Sequence, residues 1–137
     1  MEIERPEIVA LFYCALISPN DAEQLFPFLS PKVEWLLSAA DPHTLGEELP
    51  SNAIKFSGTE GFRQLTFYFC DRLHVISGDL TGCIQHHHLV FSFGRVRLRT
   101  PGTGHVAETN IAARITFRRS KIAKCQIRIS WPLAFDS

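Results

Sequence analysis

No apolar run in this sequence approaches the length needed to cross a bilayer, and its first residues, Met1-Glu2-Ile3-Glu4-Arg5-Pro6, lack the basic-then-apolar order of a secretory leader. Neither secretion nor membrane insertion is expected, and a cytoplasmic location is. Net charge is missing as well: Lys plus Arg and Asp plus Glu number 14 each, so no overall field draws the chain onto phosphate backbones or anionic lipid. Nucleic acid and membrane surfaces are therefore not expected partners. The chain contains no low-complexity tract, nucleophile elbow, P-loop or zinc-ligand motif, and no cofactor is implied. There is no C-x-x-C either. Cys14, Cys70, Cys83 and Cys125 lie far apart inside apolar runs, which reads as reduced thiols packed in the core of a cytosolic protein.

What the sequence does contain is enough apolar material for one folded unit. Hydrophobic residues make up 45% of 137 and charged residues 20%, so residues 1–137 are expected to form one domain with its own core. After Pro6, residues Ile8, Leu11, Phe12, Ala15 and Leu16 recur at three- and four-residue intervals, predicting an amphipathic helix that Ser18-Pro19 stops. Asn20 can cap a second helix over Leu25, Phe26, Phe28 and Leu29, with Pro27 shortening or kinking it. Val33 to Ser38 reads as a strand, and Ala39 to Phe56 as a long loop. Ser57-Gly58-Thr59-Glu60 has capping-box spacing before a third helix carrying Phe62, Leu65, Phe69 and Leu73.

From His74 the pattern changes to four β segments: His74 to Gln85, His88 to Thr100, His105 to Arg118 and Lys121 to Trp131. Consecutive segments are expected to pair as an antiparallel meander. One face of the last two carries Ile111, Ala113, Ile115, Phe117, Ala123, Cys125, Ile127, Ile129 and Trp131; the opposite face carries Glu108, Asn110, Arg114, Arg118, Lys124, Gln126 and Arg128. A sheet with one apolar face needs a cover, and the three N-terminal helices supply it.

The order helix, helix, strand, loop, helix and four-strand meander resembles the cone-shaped α+β fold of nuclear transport factor 2-like proteins, in the branch that includes SnoaL-like cyclases and ketosteroid isomerases. The residues that carry the likeness are Tyr13 eight positions before Asp21, Val33-Glu34-Trp35, Phe56-Ser57-Gly58-Thr59-Glu60-Gly61, and Ile115-Thr116-Phe117-Arg118-Arg119-Ser120-Lys121-Ile122. The resemblance implies three N-terminal helices packed on a curved antiparallel sheet, a pocket for a small apolar molecule between them, and a homodimer through the convex sheet face. On that face Asn110, Ala112, Arg114, Gln126 and Arg128 would otherwise form a broad exposed surface.

Ketosteroid isomerases use a carboxylate base on the first strand and a tyrosine with a protonated aspartic acid as oxyanion donors. The resemblance puts Trp35 at the place of the base and Ile115 at the place of the acid, leaving Tyr13 as the matching group. His74, just after the third helix, is similar in position to a catalytic histidine of scytalone-dehydratase-like members, and its imidazole can exchange a proton near neutral pH. The expected site is therefore His74 and Tyr13 as catalytic groups, with Trp35, Ile115 and Trp131 as ligand-binding walls. Asp41, His43, Glu47 and Glu48 on the Ala39 to Phe56 loop could supply a substitute base, although ordinary surface polarity accounts for each of them singly.

No metal site is expected. In His86-His87-His88 a strand sends neighbours to opposite faces, so at most two imidazoles converge, and a hairpin turn explains the run better. Arg95, Arg97 and Arg99 alternate along one strand, which suits a solvated or dimer-facing surface with ion pairs. Two functions remain open at this point. One is a cofactor-independent acid–base enzyme of isomerase, dehydratase or cyclase type acting on an apolar cyclic or polyketide-like substrate. The other is a non-catalytic dimeric ligand-binding or protein-interaction module of the same fold.

Overall fold

A computed structural model describes residues 4–39, 54–99 and 103–129. Helix α1 (Arg5–Leu16) begins at Pro6, whose missing N–H falls among the donors a first turn leaves unpaired, and buries Ile8, Val9, Phe12, Tyr13, Ala15 and Leu16. A 3₁₀ segment (Pro19–Phe28) follows where a second α-helix was expected. Pro27 accounts for it, since it removes an interior donor from a stretch only ten residues long, whereas Pro19 sits at the first position, where no donor is needed.

Strand β1 (Leu29–Ala39) starts four residues earlier than the pattern predicts. Strand β2 (Ile54–Ser57) occupies the end of the expected loop, and the loop's candidate base residues lie outside the described residues. Helix α2 (Gly58–Asp71) then buries Phe62, Leu65 and Phe69, with Ser57 at its N-cap but no side-chain capping bond. The chain continues through β3 (Val75–His86), β4 (Leu89–Arg99), β5 (Val106–Arg118) and β6 (Lys121–Ile129). His87 and His88 form the β3–β4 turn, as expected of a hairpin rather than a metal site. Arg119 and Ser120, both with positive φ, form the two-residue turn between β5 and β6.

These strands form one six-stranded sheet in the order β2-β1-β6-β5-β4-β3. The meander is antiparallel as predicted, but β1 lies parallel to β6, with Trp35 beside Cys125 and Leu37 beside Ile127. The sheet is therefore mixed rather than wholly antiparallel. Alternation predicts which side of a strand is apolar, whereas pairing between strands some ninety positions apart leaves no local mark. A bulge supplies a second correction. The register slips between Thr116 and Phe117, which pair with Lys124 and Ile122, so Ile122 takes the buried place expected for Ala123.

The core lies between the helices and one sheet face, where Phe12, Trp35, Phe62, Phe69, Leu98, Ile111 and Ile115 are all fully enclosed. The outer face is less open than expected: Ala112 is 0% exposed, and Gln126 and Arg128 are 6% exposed. Both β5 and β6 are interior strands, so a small side chain such as Ala112 sits between the larger Phe93 and Arg128. Open apolar surface lies instead toward the β3 edge, at Ile84 and Phe93. All four cysteines are free thiols, but only Cys125 is fully buried; Cys14 is exposed and Cys70 and Cys83 are intermediate.

Candidate functional site

The alternation Val90, Ser92, Gly94, Val96, Leu98 points one side of β4 at the helices, and the two small members of that row position Tyr13. Its ring crosses the sheet at Gly94, where an added Cβ would meet Cε2 of Tyr13 at 2.6 Å and the carbonyl oxygen of Asp79 at the same distance. This crossing brings the Tyr13 hydroxyl within 3.0 Å of Ser92 Oγ. Ser92 Oγ in turn lies 3.4 Å from the Ala113 carbonyl oxygen, which can only accept. With Ser92 donating to Ala113, Tyr13 donates to Ser92, and the phenol proton is engaged within the protein.

Burial pushes the Tyr13 phenol far above its ordinary range; the hydrogen bond with Ser92 opposes the shift, and the nearby Cys125 and Cys83 add to it. Tyr13 is thus a neutral hydrogen-bonding group at physiological pH and not a base. The fully buried Cys125 thiol is also pushed well up by desolvation alone.

Trp35 closes the interior next to Tyr13. Its indole N–H donates to the Gly58 carbonyl oxygen at 3.0 Å, an acceptor turned toward it where Gly58 takes a φ of +74° that a side chain would resist. The indole lies parallel to Phe12 at a centroid distance of 6.1 Å and tilted against Phe62 at 4.8 Å, while Phe12 meets Tyr13 edge-on at 5.4 Å. Trp35 and Ile115 both have 0% exposure.

The structure brings Tyr13, Trp35 and Ile115 into one buried cluster and leaves His74 out of it. His74 is exposed at the turn between α2 and β3, with φ of +52°, and its carbonyl oxygen accepts from the Arg99 N–H at 3.0 Å. Trp131 lies outside the described residues. Ser92 and Gly94 were missed from sequence, although their signal is present: one polar and one minimal residue on the inward side of an otherwise apolar strand. Among the described residues no group of three His, Cys, Asp or Glu side chains is arranged to hold a metal ion.

No protein-family model matches the sequence, and no curated protein matches it. Solved structures do. TerC, co-crystallised with polyporic acid, aligns over 96% of this chain and 94% of its own with a TM-score of 0.71 and 19% identity. A protein of ketosteroid isomerase-like fold from Catenulispora acidiphila, in complex with trimethylamine, aligns over 93% of this chain and 88% of its own at 0.67 and 17% identity. A nuclear transport factor 2-like protein from Burkholderia xenovorans aligns over 96% and 92% at 0.66 and 19% identity. The chain has the nuclear transport factor 2-like fold. Within that fold, Tyr13 is held on the sheet by Gly94 and Ser92, and the positions expected to wall a pocket, Trp35 and Ile115, are in close contact with their neighbours.

The raised pKa values of Tyr13 and Cys125 in this nuclear transport factor 2-like core affect stability with a measurable sign. A group whose folded value lies above its unfolded one keeps its proton longer in the native state, so stability is intact below the unfolded value and lost as pH rises beyond it. Unfolding free energy should begin to fall above the ordinary thiol value of 9.0, through Cys125, and fall more steeply above the ordinary phenol value of 10.0, through Tyr13. Each group contributes a slope of at most about 1.4 kcal/mol per pH unit. Urea denaturation at about pH 8 and about pH 10.5 measures the loss, which should shrink in Cys125→Ala and in Tyr13→Phe relative to each variant's own neutral stability. A loss of the same size in both variants would show that other groups carry it.

Proposed function

We propose that the chain is a non-catalytic dimeric interaction module built on the nuclear transport factor 2-like fold. The observation that carries this reading is the filled interior: Trp35 and Ile115 have no accessible surface, and Phe12, Trp35 and Phe62 occupy the space between helices and sheet. Two facts support it. The Tyr13 proton is engaged by Ser92, and the expected proton carrier, His74, is exposed at a turn.

The dimer uses the outer sheet face toward β3 and β4. There Ile84 and Phe93 are 61% and 36% exposed beside the half-buried Phe91, and Arg95 pairs with Glu108 at 3.4 Å along the same face. Apolar side chains flanked by charge are what a self-complementary interface requires. Light scattering at micromolar concentration should report about twice the monomer mass. Ile84→Asp with Phe93→Asp should give a folded monomer. A monomeric parent chain removes the dimer from the proposal, and a dimer that survives the double substitution places it on another surface.

A second reading keeps the enzyme, and one observation favours it: burial holds Tyr13 as a neutral phenol, the form that donates to a developing oxyanion. In this reading the core opens to admit a small apolar molecule against Trp35, Ile115 and Trp131, and His74 moves the proton. The ligands carried by solved structures of this fold, trimethylamine and polyporic acid, support a small-molecule occupant. Thermal melting against a panel of small cyclic aromatics separates the two readings. Saturable stabilisation that Tyr13→Phe weakens favours the enzyme, and an unmoved melting temperature favours the module.

A further inference from the structure

On the outer sheet face, away from the aromatic core, a cavity of about 230 Å³ is lined by Arg114, Thr116, Lys124 and Gln126. The ladder places these four in a square. Thr116 stands directly opposite Lys124, and two residues further along Arg114 stands opposite Gln126. All four side chains carry hydrogen-bond donors, two of them are cations, and among the described residues no carboxylate lines the recess. Gln126 is 6% exposed, so this is a walled recess and not a patch of loose surface side chains. Glu34, opposite Lys124 on the neighbouring strand, is paired with Lys55 at 3.5 Å.

We infer that this recess is a binding site for a small oxyanion-bearing ligand, a carboxylate or a phosphate monoester. The guanidinium of Arg114 presents donors in a planar fork that matches two oxygens of such a group. Lys124 adds a point charge, and the amide of Gln126 and the hydroxyl of Thr116 supply neutral donors. Arg114 already has a contact elsewhere, and five N–H donors allow it to keep that contact and still bind an anion. The size restricts the ligand. At about 230 Å³ the recess is smaller than pockets for drug-sized molecules, which start at about 300 Å³, so the occupant is a compact metabolite or the anion-bearing end of a longer one. The site lies on the opposite side of the sheet from Tyr13 and toward β6 from Ile84 and Phe93, and Arg114, opposite Phe91, borders the proposed dimer face; repeating the titration in Ile84→Asp with Phe93→Asp separates the recess from the dimer.

The test is a titration of the full chain with inorganic phosphate and, separately, with acetate, followed by backbone amide NMR shifts at ionic strength held constant with sodium chloride. The expected result is saturable shifts centred on residues 114–116 and 124–126 with at least one of the anions. Whichever anion saturates at lower concentration identifies the phosphate or carboxylate source. Lys124→Gln, at a half-buried side chain, should weaken binding by about tenfold or more, as expected for a lost charge-assisted contact. Gln126→Glu is a second, independent variant: it places a carboxylate between the two cations, so it should abolish anion binding while the melting temperature holds or rises. Shifts that grow linearly without saturating, or that persist unchanged in both variants, mean an adventitious ion only and overturn the site. Saturable binding that instead maps to residues of another surface overturns it as well.

Discussion

Trp35→Ala should destabilise the protein by about 3–5 kcal/mol, because it removes the largest enclosed side chain and leaves a void that its neighbours cannot collapse into. The neighbours are rigid rings on two helices, Phe12 on α1 and Phe62 on α2, with Tyr13 packed edge-on against Phe12, so relaxation around the hole is small. The same substitution leaves the Gly58 carbonyl without its indole donor. For a domain whose total stability is about 5–15 kcal/mol this is a large fraction, and urea denaturation will measure it. Indole added to the variant should restore part of the loss by refilling the void, since apolar holes of this kind accept matching apolar ligands. A loss below about 1 kcal/mol would mean that the interior is not packed around Trp35, and the interaction-module reading would lose its main support.

Gly94→Ala should cost about 3 kcal/mol, near the upper end for an added methyl in a packed core. One atom it meets, the Asp79 carbonyl oxygen on β3, is main chain and cannot rotate away; the other belongs to the Tyr13 ring, and Ile111 Cγ2 lies 3.3 Å off. The ring is the part able to yield, so the variant should also separate Tyr13 from Ser92. Alkaline ultraviolet titration reads the displacement: a ring pushed outward is less desolvated, and because burial is the largest cause of the raised value this outweighs the lost Ser92 bond, so Tyr13 should ionise nearer the ordinary phenol range in Gly94→Ala than in the parent chain. If stability falls while the Tyr13 titration is unchanged, the clash is being absorbed at β3 and Gly94 does not position the tyrosine. Adding Tyr13→Ala to Gly94→Ala should recover only the part of the strain that the ring contributes, because the Asp79 carbonyl remains in place.

Local periodicity made the two α-helices, the antiparallel meander and the hairpin at His87-His88 legible before any coordinates. A helix or a hairpin is specified by residues a few positions apart, and those intervals are visible in the chain itself. The same argument explains why the inward row on β5 and β6 was read correctly up to the bulge, where one extra residue reverses the alternation and puts Ile122 in the core. Proline composition warned that the second helix would be compromised, and the stretch is a 3₁₀ segment with Pro27 inside it.

By itself, the sequence determined a single apolar-faced sheet, helices to cover it, and a cluster to which Tyr13, Trp35 and Ile115 belong. Tertiary structure decided what that cluster is. Whether aromatic side chains wall a pocket or fill it depends on distances between elements, and here Phe12 and Phe62 pack against Trp35. It also decided that His74, adjacent in sequence to the buried Leu73 and Val75, turns outward through a left-handed backbone conformation. The Arg114–Lys124 recess and the parallel β1–β6 pairing likewise exist only once strands far apart in the chain lie side by side. Side-chain type is a local property and proximity is not, which is why the sequence named the residues while the fold assigned their neighbours.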